Sequence, residues 1–308
     1  MRKLVCAVAH GPVADAPTNQ YQDWSIGIYV GKSPFDLAAP DQVENPVLTR
    51  QHVSDVPARF VADPFMLRVN HTYFMFFEVM NRQTGKGEVG LAISDNAMRW
   101  TYQQIILQEP FHISYPYVFE WQHDYYMIPE SYQTNSIRLY KAVDFPTRWS
   151  FVQNLLDGHD FVDSSFLAFG DKCWLFTGLG SPPKRADTLC LYYADDLMGA
   201  WREHRQSPII ENTLHSARPA GRVLAVGDRV IRYAQDCYPA YGSRVRAFGI
   251  TELTTMSYHE SELDQSPVLA ASGTGWNASG MHHIDTHLLD DGRWIACVDG
   301  FVWREWFR

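Results

Sequence analysis

The sequence is poor in features that mark secreted or membrane-spanning chains. Its 308 residues include only five cysteines, an odd number scattered among apolar neighbours without a C-x-x-C pair. This pattern is typical of reduced core cysteines and favours a cytoplasmic protein. No apolar run approaches the roughly 20 residues needed to cross a bilayer, and the apolar stretch near the N-terminus is short for a signal peptide. We therefore expect neither a transmembrane segment nor disulfide bonds.

The chain also lacks an excess of positive charge and a long helical pattern. Its formal net charge is −9, whereas proteins that bind nucleic acid carry basic surfaces, so we expect no nucleic-acid partner. No segment shows the apolar stripe of a long amphipathic helix. Short alternating segments rich in Tyr, Phe, Trp, Val and Ile, bounded by Gly, Asn, Asp and Pro, predict an all-β protein instead.

A motif recurs through the chain, with a short polar segment, an apolar run, a turn and a second, aromatic-rich run. The five copies are VADPFMLRVNHTYFMFFE (61–78), SYPYVFEWQHDYYMIPE (114–130), VDSSFLAFGDKCWLFTG (162–178), ARPAGRVLAVGDRVIRYAQD (217–236) and HIDTHLLDDGRWIACVDG (283–300). A spacing on the order of 50 residues indicates a repeat architecture.

Each of these predicted hairpins has two further predicted strands. Four pairs follow their hairpins, at 88–107, 136–156, 189–210 and 243–263, whereas the fifth pair, at 24–48, precedes the first hairpin. Five units of four strands predict a five-bladed β-propeller. The N-terminal strands at about 24–48 would complete the last blade at 281–300, which protects its edge. We therefore predict that residues 1–308 form one domain.

Polar residues begin the first strand of the repeats. The aligned positions are Asp63, Tyr115, Asp163, Arg218 and Asp285. Because first strands line the axis of a propeller, we expect these side chains to converge in one funnel. The second strands return to the same rim and bring further acids, Glu78, Glu130, Asp236 and Asp299. Buried carboxylates are costly unless they are paired or solvated, so the pattern favours a functional site.

The segments VADPFM, SYPYVFEW, SARPAGR and MHHIDTH resemble the N-terminal propeller domain of the glucosamine inositolphosphorylceramide transferase family, which also occurs as stand-alone bacterial proteins. The resemblance runs from about Trp24 to Gly300. It implies a carbohydrate or glycoconjugate substrate. The sequence has no room for the exostosin-like glycosyltransferase domain of the plant members, so the resemblance does not imply transferase activity. A separate glycosyltransferase is a candidate partner.

The blade pattern is more distantly similar to the five-bladed glycosidases of glycoside hydrolase family 43. That resemblance implies that Asp63 is a general base and that Asp163 tunes the pKa of the acid. The family's general acid is a Glu near the start of the fourth blade, and HSARPAG (215–221) has no carboxylate there. His215, Glu130 or Asp285 would have to donate the proton.

The segment MHHIDTH (281–287) places His283, Asp285 and His287 on one face of a strand. Such residues can bind a divalent metal ion at the axis, and His283 and Asp285 are the candidate ligands. Alternatively, the histidines pair with carboxylates, or His282 and His283 bind sugar hydroxyls. We expect no other cofactor.

Arg218 is the single cation of the predicted ring. It either neutralises Asp163 or Asp285, or uses its planar guanidinium to bind an anionic group of the substrate. Aromatic side chains near the rim are candidates for stacking on sugar rings, namely Tyr115, Tyr117 and Trp276.

These features lead to one functional hypothesis and two alternatives. The hypothesis is a glycoside hydrolase-like enzyme with Asp63 as base and Asp163 as the orienting group. The first alternative is a non-catalytic glycan-binding or accessory module for a glycosyltransferase. The second is a phosphorylase in which Arg218 binds phosphate.

Overall fold

The computed structural model of the protein describes residues 19–180 and 187–305. These residues form five antiparallel sheets, whose strands are numbered β1 to β21 in chain order. The predicted five-bladed β-propeller is therefore confirmed. The helices in the described ranges are two short 3₁₀ turns, Tyr132–Thr134 and Gly275–Asn277, and none is long and apolar enough to cross a membrane.

The blades follow one another along the chain. Blade one contains β3 Ala58–Val69, β4 Thr72–Asn81, β5 Lys86–Ser94 and β6 Thr101–Leu107. Blade two contains β7 Ser114–Trp121, β8 Asp124–Glu130, β9 Ser136–Asp144 and β10 Arg148–Asp157. Blade three contains β11 Phe161–Phe169, β12 Lys172–Leu179, β13 Leu189–Ala194 and β14 Arg202–Glu203. Blade four contains β15 Leu224–Val226, β16 Arg229–Asp236, β17 Arg244–Leu253, β18 Tyr258–Glu262 and β19 Leu269–Ala270.

Blade five is built from both ends of the described chain. It contains β20 Ile284–Leu288, β21 Trp294–Glu305, β1 Gln20–Ser33 and β2 Asp36–Ala38. β1 pairs with β21 from Gln20 opposite Glu305 to Gly31 opposite Trp294. The prediction that the N-terminal strands complete the last blade is confirmed. This closure pairs the edge that β21 would otherwise expose.

The hydrophobic core lies between consecutive blades. Alternate side chains of β4 point to opposite neighbours, since side chains alternate across a strand. Phe76 packs in the cluster shared with blades two and three, and Phe77 packs in the cluster shared with blade five. Both side chains are fully buried. The aromatic runs of the repeats therefore act as packing between blades.

A tryptophan recurs where the outer strand begins in blades one, two and three, directly before the strand in blades one and three and as its second residue in blade two. The indole N–H of Trp100 donates to the carbonyl of Ala97 at 2.9 Å, and that of Trp149 donates to Pro146 at 2.9 Å. Trp201 makes the same contact with Leu197 at 3.1 Å. The aromatic residue that recurs before the last predicted strand thus closes a turn.

The cysteines in the described ranges are Cys173, Cys190, Cys237 and Cys297, all buried and reduced. Cys6 lies outside the described residues.

Candidate functional site at the mouth of the propeller

Three of the predicted ring residues sit on the same unusual backbone feature. Asp63, Tyr115 and Asp163 have φ values of 52°, 44° and 49°, in the left-handed region that non-glycine residues rarely adopt. At each position the pairing of the first and second strands shifts by a bulge. Bulges and left-handed residues that are kept by their surroundings often occur at functional sites. The three residues therefore share one backbone geometry, at the bulge of the first strand of each blade.

The acids at the ends of the second strands hold these bulges. Asp299 of blade five accepts a hydrogen bond from the Asp63 amide of blade one at 3.0 Å. Glu130 of blade two accepts one from the Asp163 amide of blade three at 3.1 Å. The Tyr115 amide of blade two donates instead to Asp63 Oδ2, at 3.3 Å. The rim acids and the ring residues thus form one connected network across neighbouring blades.

Asp63 is the best candidate for a group that changes protonation near neutral pH. Its Oδ1 lies 3.8 Å from a ring nitrogen of both His282 and His283. Burial raises the pKa of Asp63 to about 7, while His282 and Arg218 act to lower it and Asp163 and Asp299 act to raise it. A carboxylate with a pKa in this range can act as a general base.

The Asp163 carboxylate is fixed in place by hydrogen bonds from two side chains. Its Oδ2 accepts hydrogen bonds from the Arg218 Nε and from the Gln235 side-chain amide, the latter at 2.8 Å. Arg218 Nη2 also lies 3.4 Å from Glu130 Oε2. Burial and the nearby Asp163 raise the pKa of Glu130 well above its usual value, although Arg218 opposes this. Arg218 therefore neutralises Asp163, as one of its two predicted roles requires.

Glu78 differs from the other rim acids because no backbone amide of the described residues donates to it. His112 Nε2 lies 3.6 Å from Glu78 Oε1. Burial and the neighbouring carboxylates raise the pKa of Glu78 well above its usual value. Asp63, Glu78 and Glu130 are buried, and each keeps about 6% exposure.

His282 links the site to the closing strand. Its Nδ1 lies 2.9 Å from Asp299 Oδ1, and its ring stacks on Trp24 of β1 at a centroid distance of 3.9 Å. Burial alone would lower the pKa of His282, but Asp299 and Asp63 together raise it. We call this group of buried charges the mouth cluster, consisting of Asp63, Glu78, Glu130, Asp163, Asp299, Arg218 and His282.

Asp285 does not lie in this ring, contrary to the predicted alignment. Blade five lacks the bulge that blades one to three carry between their first and second strands. Asp285 therefore pairs with Cys297, and the equivalent pair in blade one is Phe65 with Phe76. There it accepts hydrogen bonds from Arg222 at 2.7 Å and is 2.8 Å from His287. Although burial opposes the effect, Arg222 and His287 lower the pKa of Asp285. We call Asp285, Arg222 and His287 the axial ion cluster.

Tyr115 and Tyr117 were predicted to contact a sugar, but both are buried. The Tyr115 hydroxyl accepts a hydrogen bond from the Gly221 amide at 2.7 Å and lies 2.8 Å from Ser165 Oγ. The Tyr117 hydroxyl donates to the carbonyl of Phe166. The Tyr115 side chain therefore joins blade two to blades three and four across the axis.

The remaining predicted contacts lie in three places. His283 is fully buried between Phe65 and Tyr115, and burial lowers its pKa to about 4. Trp276 packs against the backbone of blade five at Gly27 and Gly300. The other two residues form a pair at the rim of blade four, His215 and Asp236, with 2.9 Å between Nδ1 and Oδ1. Arg246 also donates to Asp236 at 2.9 Å.

The predicted metal ligands His283 and Asp285 do not form a pair, because Asp285 is bound by Arg222 and His287. Asp63, His282 and Asp299 instead offer ligand atoms within 4.8 Å of one another. In the structure, Asp299 Oδ1 already accepts bonds from the His282 ring and amide. A metal ion at the axis stays a prediction.

Sequence reasoning missed several residues of the site. Tyr241 lies under the Arg218 guanidinium at 5.3 Å and contacts the His282 ring at 5.2 Å. Its position in the Pro- and Gly-containing loop after a second strand could have indicated a rim residue. Gln235, which donates to Asp163, directly precedes the predicted rim acid Asp236 and has no sequence signal of its own. His112 lies two residues before the second repeat, in a segment without a recognisable motif.

The five-bladed propeller fold is similar to that of solved glycoside hydrolase structures. The chain resembles the catalytic domain of a GH62 alpha-L-arabinofuranosidase from Coprinopsis cinerea with a TM-score of 0.58 at 11% identity, covering 88% of this chain and 84% of the other. An exo-beta-1,3-galactanase from Clostridium thermocellum gives 0.57 at 12% identity, covering 84% and 62%. At these identities the likeness concerns the fold alone.

Sequence comparison identifies the family. Residues 17–301 match the family described as glucosamine inositolphosphorylceramide transferase 1, N-terminal, and the chain belongs to it. Glucosamine inositolphosphorylceramide transferase 1 of Oryza sativa subsp. japonica is 35% identical over 297 residues, and that of Arabidopsis thaliana is 33% identical over 298. Each alignment covers 90% of this chain. The chain spans about 40% of the length of these relatives.

Proposed function

We propose that the mouth cluster binds a glycan and hydrolyses a glycosidic bond with carboxylate acid–base chemistry. The observation that carries this proposal is the matched placement of Asp63 and Asp163. They stand on equivalent bulges of blades one and three, and burial among other acids brings the pKa of Asp63 to about 7. Two carboxyl groups with different environments are what glycoside hydrolysis requires.

The two aspartates would have different tasks. Asp63 takes a proton from a water molecule while the water oxygen forms a bond to the anomeric carbon. The bond from that carbon to the glycosidic oxygen breaks, its electron pair stays on the oxygen, and a carboxylic acid of the mouth protonates that oxygen. Asp163, bound by Arg218 and Gln235, fixes the charge distribution around the reacting atoms. Glu130, predicted as an acid, and Glu78 are the mouth acids whose pKa is raised well above the usual value.

The charge of the mouth cluster favours a neutral or cationic sugar. Its five carboxyl groups are accompanied by two cationic side chains, Arg218 and His282, and Arg218 already contacts Asp163 and Glu130. These contacts speak against phosphate binding by Arg218 and therefore against a phosphorylase. A 2-amino sugar would place an ammonium group among the acids, and the named relatives are glucosamine inositolphosphorylceramide transferases.

The test is hydrolysis of 4-nitrophenyl α- and β-glycosides of glucosamine, N-acetylglucosamine, galactose, xylose and arabinofuranose. We expect release of nitrophenol from at least one of them. Asp63→Asn should reduce this rate by about 10²–10⁴, the usual contribution of a general base, while calorimetry still detects binding of the free sugar. Equal rates for wild type and Asp63→Asn would contradict the proposal.

A second candidate is a non-catalytic glycan-binding module that serves a glycosyltransferase. The observation that favours it is the coverage of relatives that are named transferases, of which this chain spans about 40%. Sugar binding without hydrolysis of any substrate in the panel would support this alternative.

The proposals that the chain acts as a stand-alone bacterial protein and that it is cytoplasmic can be checked by size analysis and fractionation of the native source.

A further inference from the structure

Glu78 lies at the position of a rim acid, but unlike Asp299 and Glu130 it does not accept the bulge amide of the next blade. In the neighbouring blades, Asp299 and Glu130 each bind the bulge amide of the next blade, that of Asp63 and of Asp163. The equivalent amide for Glu78 belongs to Tyr115, and Asp63 binds it instead. The Glu78 carboxyl is therefore left without a backbone donor in the described part of the chain.

His112 approaches Glu78 from the segment that joins blades one and two. The Gly87 amide donates to His112 Nδ1 at 2.9 Å, so this nitrogen carries a lone pair and the neutral ring has its proton on Nε2. That Nε2 lies 3.6 Å from Glu78 Oε1. Burial lowers the pKa of His112 to about 4, in agreement with a neutral ring. Catalytic hydrogen bonds are often this long before substrate binds.

Gly87 leaves the space that the pair occupies. A Cβ at this position would lie 2.7 Å from Glu78 Oε1, 2.9 Å from His112 Cε1 and 2.3 Å from the Ile113 carbonyl oxygen. A side chain here would displace both partners. Glu78, Gly87 and His112 come from three segments of the chain, and the absence of a side chain at Gly87 lets the side chains of the other two residues approach each other.

The charges around Glu78 are acidic. The carboxyl groups that raise its pKa, besides burial, are those of Asp63, Glu130, Asp163 and Asp299. Arg218 contacts Glu130 and Asp163, and His282 contacts Asp299 and Asp63. His112 is the remaining titratable group at Glu78, and its ring is neutral. Glu78 therefore has acidic neighbours and no cation bound to it among the described residues.

We infer that Glu78 is the proton donor of the proposed glycosidic cleavage and that His112 is its positioning residue. The inference rests on the proposed function and names a donor for it. His112 Nε2–H holds Oε1, and Oε2 carries the proton toward the glycosidic oxygen. When the bond from the anomeric carbon breaks, that oxygen keeps the electron pair and takes the proton, leaving Glu78 as a carboxylate. Glu78 regains a proton from solvent, and Asp63 releases to solvent the proton it took from water.

The first experiment needs no substrate. Infrared difference spectra of protein labelled with ¹³C-glutamate should show a protonated carboxyl band that persists at neutral pH. Glu78→Gln should remove one component of this band and leave the component of Glu130, whose pKa is also raised, with exposed Glu120→Gln as the control. A spectrum unchanged by Glu78→Gln would overturn the inference, because Glu78 would then not hold a proton.

His112 is tested by two substitutions that each keep one ring contact. His112→Asn keeps an acceptor for Gly87 and loses the donor to Glu78, whereas His112→Gln places an amide donor near the position of Nε2. Since a donor favours the carboxylate, His112→Asn should move the Glu78 titration upward by about 0.4–1 pH unit, which corresponds to one hydrogen bond. His112→Gln should reverse most of this shift, and exposed His71→Asn should cause none. An unmoved titration in His112→Asn would remove His112 from the inference.

The second experiment tests the proton-donor role of Glu78 separately from the proposed hydrolysis. With a 4-nitrophenyl glycoside that the wild type cleaves, and its methyl counterpart, Glu78→Gln should lose at least 10²-fold on the methyl glycoside. It should lose far less on the nitrophenyl glycoside, whose leaving group needs little protonation. Equal losses on both, or none, would overturn the donor role while leaving the proposed function intact. Absence of any hydrolysis by wild type would overturn both, whatever the spectra show.

Discussion

The mouth cluster and the axial ion cluster both bury carboxylates, but they balance them differently. Asp285 has Arg222 at 2.7 Å and His287 at 2.8 Å, and its Oδ2 also accepts the Met66 amide at 2.7 Å. It is fully buried. The mouth cluster has five acids for two cations, and three of its acids keep about 6% exposure.

The difference shows that one fold can contain a charge-balanced ion cluster that stabilises it and a second cluster whose acids can exchange protons. A buried ion cluster with matched charges is destabilised when a partner is removed, because the remaining charge cannot be solvated. An acid-rich cluster can instead hold protons, and the pKa values of Asp63, Glu78 and Glu130 are raised. The balanced cluster joins blades two, four and five below the mouth, and the unbalanced cluster is where protons can be exchanged with a substrate.

The largest effect is expected from Arg222→Met. This change leaves Asp285 buried with His287 as its remaining charged partner, and also removes the hydrogen bond to the Val118 carbonyl. We expect a loss of about 3–5 kcal/mol in the free energy of unfolding, measured by urea denaturation. Adding Asp285→Asn should restore part of this loss because the unpaired charge is gone. A loss below about 1 kcal/mol would show that the axial cluster does not differ from the mouth cluster in this way.

The two clusters should also respond to pH with opposite signs. Asp285 has a lowered pKa, so its contribution is present above the unfolded pKa near 4 and is lost as the pH falls. Asp63 has a pKa raised to about 7, so the folded state binds its proton more tightly and stability declines as the pH rises from about 4 to 7. The slope is at most about 1.4 kcal/mol per pH unit, the value for one full proton. Urea denaturation of wild type and Asp63→Asn across this range should show a shallower decline in the variant.

Much of the fold could be predicted from the repeat pattern, but the depth of each residue along the axis could not. The spacing of hairpins revealed five blades and the closure by β1. The sequence does not show that blades one to three carry a bulge and blade five lacks one. One bulge changes the pairing by a residue, so Asp285 fell one layer below Asp63. Long-range contacts such as Arg222 with Asp285 and His112 with Glu78 leave no local pattern at all.

A smaller effect is expected from Arg218→Lys in the mouth cluster. Lysine keeps the charge but cannot contact Asp163 through Nε and Glu130 through Nη2 at the same time. We expect a loss of about 1 kcal/mol in unfolding free energy, since the neighbouring acids can take up protons to relieve the mismatch. Affinity for the neutral sugars of the substrate panel should change little. A loss as large as that of Arg222→Met would show that Arg218 belongs to a balanced cluster.

The smallest effect on stability is expected from Asp63→Asn, at the centre of the mouth cluster. Asparagine has the same size, tolerates the left-handed backbone at φ 52°, and keeps an oxygen that can accept the Tyr115 amide. It removes a carboxyl group that neighbouring Asp163 and Asp299 disfavour in its charged form. We therefore expect the unfolding free energy at pH 7.5 to stay the same or to rise by about 1 kcal/mol, as when like-charge strain at an active site is relieved. Asp171→Asn, at an exposed turn of blade three, is the matched control. A loss of unfolding free energy in Asp63→Asn as large as that in Arg222→Met would contradict this expectation. Asp63 would then be a structural partner of His282 and Asp299, and the mouth would be a second ion cluster rather than a ligand-binding site.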